Sequence, residues 1–165
     1  MARQELERTV QQSLLDRLID DDPDVQRDQP MTWAQSVRQL KASLRRDLDW
    51  LLNTRRVAIP APEELTELGR SLYQFGIPDL SSMDRDSSAV RARLLRIIEQ
   101  AIADFEPRLA GVSASLAEGS DDSRQRMRFL IEAMLRMDPN PEPVAFDTML
   151  EVSSGEYQLG DAAGA

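Results

Sequence analysis

Phe105-Glu106-Pro107-Arg108-Leu109 marks a change of periodicity in this chain. Before it, apolar residues recur every three or four positions, the spacing of one helix face. After it, they mostly alternate with polar residues, the spacing of a half-buried strand. Pro107 enforces the change locally, because it supplies no backbone N–H and pushes Glu106 toward an extended conformation. Helices up to about Phe105 and strands beyond it give an α+β fold, with N-terminal helices packed on a small C-terminal antiparallel sheet.

Toward the N-terminus, Val90, Leu94, Ile97, Ile98, Ala101, Ile102 and Phe105 form the inward face of a helix capped by Ser87 or Ser88. Upstream, Leu65, Leu68, Leu72 and Phe75 predict another buried stripe. Pro62 opens that helix, Glu63 and Glu64 sit in its first turn, and Gly76 stops it. Val37, Leu40, Leu44, Leu48 and Leu51 predict a longer helix with Thr32 or Ser36 as cap. It ends near Asn53, ahead of Arg55-Arg56 and the Pro60-Ala61-Pro62 break. Leu6, Val10, Leu14, Leu15, Leu18 and Ile19 predict a short amphipathic helix that stops in the acidic run Asp20-Asp21-Asp22-Pro23-Asp24.

Toward the C-terminus, Val112, Ala114 and Leu116 alternate with Ser113 and Ser115. Met127, Phe129, Ile131, Ala133, Leu135 and Met137 alternate with Arg126, Arg128, Glu132 and Arg136. Their composition also suits a helix, but the period of two favours a strand. After a turn-rich loop over 138–143, Val144, Phe146, Thr148, Leu150 and Val152 alternate again and are expected to pair with that strand. A Ser153-Ser154-Gly155 turn leads to a short strand around Tyr157 and Leu159, and the small residues from Gly160 onward predict a disordered tail. The expected organisation is an N-terminal helix and acidic linker over 1–30, one domain over 31–160 and the tail over 161–165.

Composition narrows the chemistry. The 165 residues carry a formal charge of −9 and contain neither histidine nor cysteine. The acidic balance argues against a nucleic-acid partner, since phosphate binding is driven by Lys and Arg. Without His or Cys, a structural zinc site or a Cys/His nucleophile is excluded. No catalytic residue, metal ligand, cofactor or small-molecule substrate is expected. No apolar run is long enough to insert in a membrane, and no signal peptide is recognisable, so a cytoplasmic location is expected. The acidic run lacks the central Gly and terminal Glu of a calcium loop. Asp104 with Glu106, Asp47 or Asp49 offers a nominal glycosidase pair, but 29 acidic residues make chance pairs abundant.

Two constellations remain as candidate partner-binding sites. Glu106, Pro107 and Arg108 form a small acid–base fork, with residues two apart pointing the same way on an extended chain. It suits reciprocal salt bridges with another protein, or it is an ordinary helix end with exposed charges. Neither charge lies on an apolar stripe, so both are expected at the surface, where substitutions cost within about 0.5 kcal/mol. Trp50, Arg55 and Arg56 form the second: a docking surface of favoured anchor types, or a core tryptophan beside solvated arginines.

Several segments together resemble the TssE family of type VI secretion baseplates. They are Ser13-Leu14-Leu15-Asp16-Arg17-Leu18, Ser36-Val37, Asp47 through Arg56, Ser71 through Leu80, and Phe105-Glu106-Pro107-Arg108-Leu109. Phe75 before Gly76 departs mildly from the family's Tyr-Gly. The resemblance implies a structural subunit that joins the wedge proteins TssF and TssG and helps start the contractile sheath of TssB and TssC. It places that subunit in the bacterial cytoplasm, at the inner face of the cytoplasmic membrane. Glu106, Pro107 and Arg108 match its Glu-Pro-Arg signature, implied to hold the inner helical core of the baseplate. Its C-terminal strands are implied to offer an edge to the first sheath ring. A lysozyme label carried by family members makes peptidoglycan hydrolysis the alternative.

Overall fold

The computed structural model describes residues 10, 12–19, 23–24, 31–69, 71–79, 87–117, 126–138, 140–151 and 154–161. Helical elements come first: α1 (Leu14–Leu18), α2 (Trp33–Asn53), α3 (Thr66–Gly69), a 3-10 turn (Leu72–Gln74) and α4 (Ser88–Phe105). The strands β1 (Leu109–Leu116), β2 (Arg126–Leu135), β3 (Glu142–Glu151) and β4 (Glu156–Asp161) follow. They form one antiparallel sheet in the order β1-β2-β3-β4, so the fold is α+β. The chain divides into two compact units, Met1–Arg46 and Asp47–Ala165, and the division falls within α2.

In the first unit, Ser13 caps α1. Its hydroxyl accepts the Asp16 N–H at 3.2 Å and donates to Asp16 Oδ2 at 2.6 Å. Arg46 Nη2 donates to the other carboxylate oxygen at 2.8 Å. Burial alone would raise the Asp16 carboxyl, but the hydrogen bonds from Ser13 and Arg46 and the arginine charge outweigh it and hold the group below its usual range. Leu14, Leu15, Leu18 and Ile19 are exposed, so the predicted apolar face is not buried on this five-residue helix. The first part of the helix predicted over Leu6 to Ile19, up to Thr9, lies outside the described residues, as do Asp20, Asp21 and Asp22 of the acidic run. Of the two predicted caps for α2, Thr32 serves. Gln35 N–H donates to Thr32 Oγ1 at 3.3 Å while Thr32 N–H donates to Gln35 Oε1 at 2.8 Å, a reciprocal capping box. Ser36 lies buried one turn further in, its hydroxyl donating to the Trp33 carbonyl at 2.8 Å.

In the second unit, α4 buries Leu94, Ile98, Ala101 and Ile102, as its spacing predicts, and packs on β1. β2 and β3 pair without interruption from Arg126↔Glu151 to Leu135↔Glu142, the pairing expected from the two alternating segments. Phe129, Ile131, Ala133 and Leu135 of β2 are buried with Val144, Phe146, Thr148 and Leu150 of β3. Leu109 and Ala114 of β1 are five residues apart and would face opposite sides of a regular strand. Both are buried because a bulge between Ala110 and Ser113, with Gly111 at φ +61°, shifts the register by one residue. Helix side chains hold outward backbone groups of both edge strands. Glu99 Oε1 accepts the Ala114 N–H at 2.8 Å. Asn53 Oδ1 accepts the Tyr157 N–H at 2.8 Å and its Nδ2 donates to the Tyr157 carbonyl at 3.0 Å.

Two expectations need correction. The stretch from Pro62 to Gly76 is not one helix with a buried stripe: it contains only the single turn of α3 and the 3-10 turn. Leu65 and Leu72 are 53% and 81% exposed, and Leu68 and Phe75 are half-buried. Gly69 ends α3, and the Ser71 hydroxyl accepts the Tyr73 N–H at 3.2 Å, a side-chain bond that starts a separate turn. β4 runs through Gly160 to Asp161, where a tail is predicted; Val152, Ser153 and residues 162–165 lie outside the described residues.

Among the described residues, the buried polar atoms without a hydrogen-bond partner include Thr148 Oγ1 and Tyr157 OH of the sheet. Burial raises the Tyr157 phenol well above its usual value. Thr148 is fully buried, so its hydroxyl has lost water without gaining a partner. Thr148→Val keeps the shape and the β-branch and is expected to stabilise the protein by about 1 kcal/mol, read as a higher urea midpoint at unchanged slope. An equal or lower midpoint would show that the hydroxyl is satisfied.

Candidate functional site

The site grows from the helix-to-strand junction. Glu106 closes α4, its N–H donating to the Ile102 carbonyl at 2.8 Å. Pro107 and Arg108 then form a tight turn, closed by the Leu109 N–H on the Glu106 carbonyl at 3.1 Å. The fixed φ of proline suits the second position of such a turn. Arg108 in turn begins the sheet, its carbonyl accepting the Arg136 N–H at 2.7 Å.

The turn folds Arg108 back onto Glu106. Arg108 Nε donates to Glu106 Oε1 and Nη2 to Oε2, both at 2.5 Å, a two-pronged pair. Nη2 also donates to Asp47 Oδ2 of α2 at 2.6 Å. The hydrogen bond with Glu106, its charge and then Asp47 hold the guanidinium more firmly protonated than usual, against the effect of burial. Arg108 Nη1 is buried and has no hydrogen-bond partner. One cation and two carboxylates leave the cluster with a formal charge of −1.

The surface expectation for Glu106 is therefore wrong: it is 5% exposed. A carboxylate shut away from water is costly unless paired, and the turn brings its partner from two residues along the same chain. Arg108 is half-buried, and Pro107 is exposed at the tip of the turn.

Trp50 is 53% exposed, which rules out a core tryptophan. The Arg55 side chain is exposed, and its backbone bridges to Ile77. Arg56 is half-buried rather than solvated. Its N–H donates to the Ile77 carbonyl at 2.9 Å, and its Nε to the Gly76 carbonyl at 3.1 Å. Glu106, Pro107 and Arg108 thus share one cluster, whereas Arg56 is committed to another, on Gly76.

Asp47 is the member of the first cluster that sequence reasoning did not assign to it, noting it only as a nominal acid beside Asp104. It precedes the buried Leu48 on α2 and is itself half-buried. Asp104 is exposed on α4 and accepts from Gln100 Nε2 at 2.8 Å. Among the described residues, no group of three or more acidic side chains could hold a metal ion, and no helix is long and apolar enough to cross a membrane.

Residues 38–140, the larger part of the chain, match the family of the baseplate wedge protein gp25. The chain belongs to this family. It is the TssE family, whose members are structural components of baseplates. The matched span takes in Trp50, Arg55, Arg56, Glu106, Pro107, Arg108 and Asp47. No curated protein matches. A chain of the baseplate complex from the type VI secretion system is similar at 12% identity with a TM-score of 0.47, over 76% of this chain and 97% of that one.

The geometry makes Glu106 and Arg108 internal partners of this wedge protein. Glu106→Ala leaves the half-buried guanidinium with Asp47 alone and is expected to cost about 3 kcal/mol. Arg108→Lys keeps the charge but loses the two-pronged geometry and should cost less. Asp47→Asn, at the more exposed corner, should cost about 1 kcal/mol. Urea unfolding of the three variants checks the order; a near-neutral Glu106→Ala would remove the brace.

Proposed function

We propose that this wedge protein is the TssE-type subunit of a type VI secretion baseplate, joining TssF and TssG and helping to initiate the TssB/TssC sheath. It works in the bacterial cytoplasm, in the baseplate at the inner face of the cytoplasmic membrane. The role is structural, with no cofactor or substrate.

The observation that carries this reading is the braced turn. Arg108 is fixed by Glu106 and Asp47, so the exposed Pro107 and the outer sides of Arg108 and Asp47 form a pre-ordered surface. Docking on it loses little side-chain entropy. Glu106 acts here as a positioning residue behind Arg108. Trp50 and Arg55 offer a second anchor of the types favoured at interfaces, and Arg56 contributes by holding the chain at Gly76.

Sheath initiation by strand addition has a physical cost in this fold. Glu99 and Asn53 occupy outward groups of the two edge strands, which guards them from indiscriminate pairing. An incoming strand that pairs at Ala114 or Tyr157 displaces one of these side chains and replaces its bonds with ladder bonds. Both Glu106 oxygens are committed to Arg108, which leaves that carboxylate unavailable as a hydrolytic acid and favours the structural role.

Co-purification with TssF and TssG tests the reading. Asp47→Asn and Pro107→Ala are expected to lower recovery at least tenfold while each variant still melts cooperatively. Equal recovery of both variants would remove the turn from the interface, and a parent chain that fails to co-purify would overturn the wedge assignment.

A further inference from the structure

The segment between Arg56 and Gly76 is a loop closed at its base. Ile77 N–H donates to the Thr54 carbonyl at 2.8 Å, and Arg56 N–H returns to the Ile77 carbonyl at 2.9 Å. Arg56 Nε adds a third bond, to the Gly76 carbonyl. Gly76 sits at φ +101°, where a Cβ would overlap the Thr54 carbonyl oxygen, so only glycine lets the two ends approach this closely. Beside this clasp, the Phe75 ring meets Phe105 of α4 edge-on at 5.3 Å.

Within the loop, successive turns are bonded to one another. Leu65 N–H donates to the Pro62 carbonyl, Gly69 N–H to that of Leu65, Ser71 N–H to that of Leu68 and Phe75 N–H to that of Leu72. Yet this loop turns four of its apolar side chains outward. Val57 is 49% exposed, Ile59 69%, Leu65 53% and Leu72 81%. Single exposed apolar residues are ordinary, but four in one clasped loop suit a surface that another molecule covers.

Charge selects the occupant. Glu63, Glu64 and Glu67 are exposed among these apolar residues, and the stretch 57–75 contains one basic residue, Arg70, for a formal charge of −2. Nucleic acid and anionic lipid headgroups are repelled by such a rim. So is a second copy of a chain whose own charge is −9. A protein surface with an apolar centre and a Lys/Arg rim is complementary.

We infer that the clasped loop 57–75, which shares no residue with the Glu106–Arg108–Asp47 cluster, is a docking lobe for a baseplate protein that presents an apolar patch rimmed by basic residues. The inference rests on the wedge reading. Leu65 and Leu72 supply the apolar contact, and Glu63, Glu64 and Glu67 set its orientation and its sensitivity to salt.

The chain has no cysteine, so Leu72→Cys carries a single thiol at an exposed position. Its maleimide labelling is compared in the free protein and in baseplates isolated from cells. The lobe is expected to label at least tenfold more slowly in the baseplate. Equal rates would overturn the docking lobe while leaving the wedge assignment intact; absence of the chain from the baseplates would overturn both. The combined variant Glu63→Lys, Glu64→Lys and Glu67→Lys is expected to be retained in baseplates at least tenfold less than the parent. Retention equal to the parent would overturn the basic rim.

Discussion

The guanidinium of Arg108 is the point on which the second unit of this molecule is organised. It ties together three elements: Asp47 on α2, 61 positions earlier in the chain, Glu106 at the end of α4 and its own turn at the start of β1. The Arg108 carbonyl also takes the Arg136 N–H beside the first β1–β2 pairs. One residue thereby joins the helices to the sheet by its side chain and pins the sheet's first pair by its backbone. Isolated surface ion pairs contribute little. This pair differs because Glu106 is buried and both its oxygens are used, so its carboxylate would be left stranded without Arg108.

Periodicity made most of this architecture legible. The stripe Leu94, Ile98, Ala101 and Ile102 and the alternation of Phe129, Ile131, Ala133 and Leu135 each report a face buried over several turns or pairs, a repeated signal. The stretch 62–76 misled because four leucine and phenylalanine positions fit helical spacing by chance, while Gly69 and Ser71, which end the turns, carry weaker signals. The bulge at Gly111 was hidden for the same reason, since one residue out of register leaves the average alternation intact.

The site was legible in composition but not in geometry. Glu106, Pro107 and Arg108 stood out as a fork, yet an extended chain and a turn place their side chains differently. Only the turn converts the fork from a surface feature into a buried brace. Asp47 comes from 61 positions earlier in the chain, and no local pattern links it to Arg108. A long-range partner of this kind follows from the packing of α2. Membership of the wedge family places the motif in a family of structural baseplate components, and the brace supplies a physical reason for those three residue types together: an acid to hold the arginine, a proline to set the turn and an arginine to span to α2.

The central claim is that Glu106 and Arg108 act as one internal unit before any partner binds. A double-mutant cycle on the isolated protein tests it most directly, with unfolding free energies measured for Glu106→Ala, Arg108→Ala and the double variant. The double variant is expected to lose scarcely more stability than either single one, with a coupling of at least about 2 kcal/mol. Single losses that simply add, within about 0.5 kcal/mol, would contradict it.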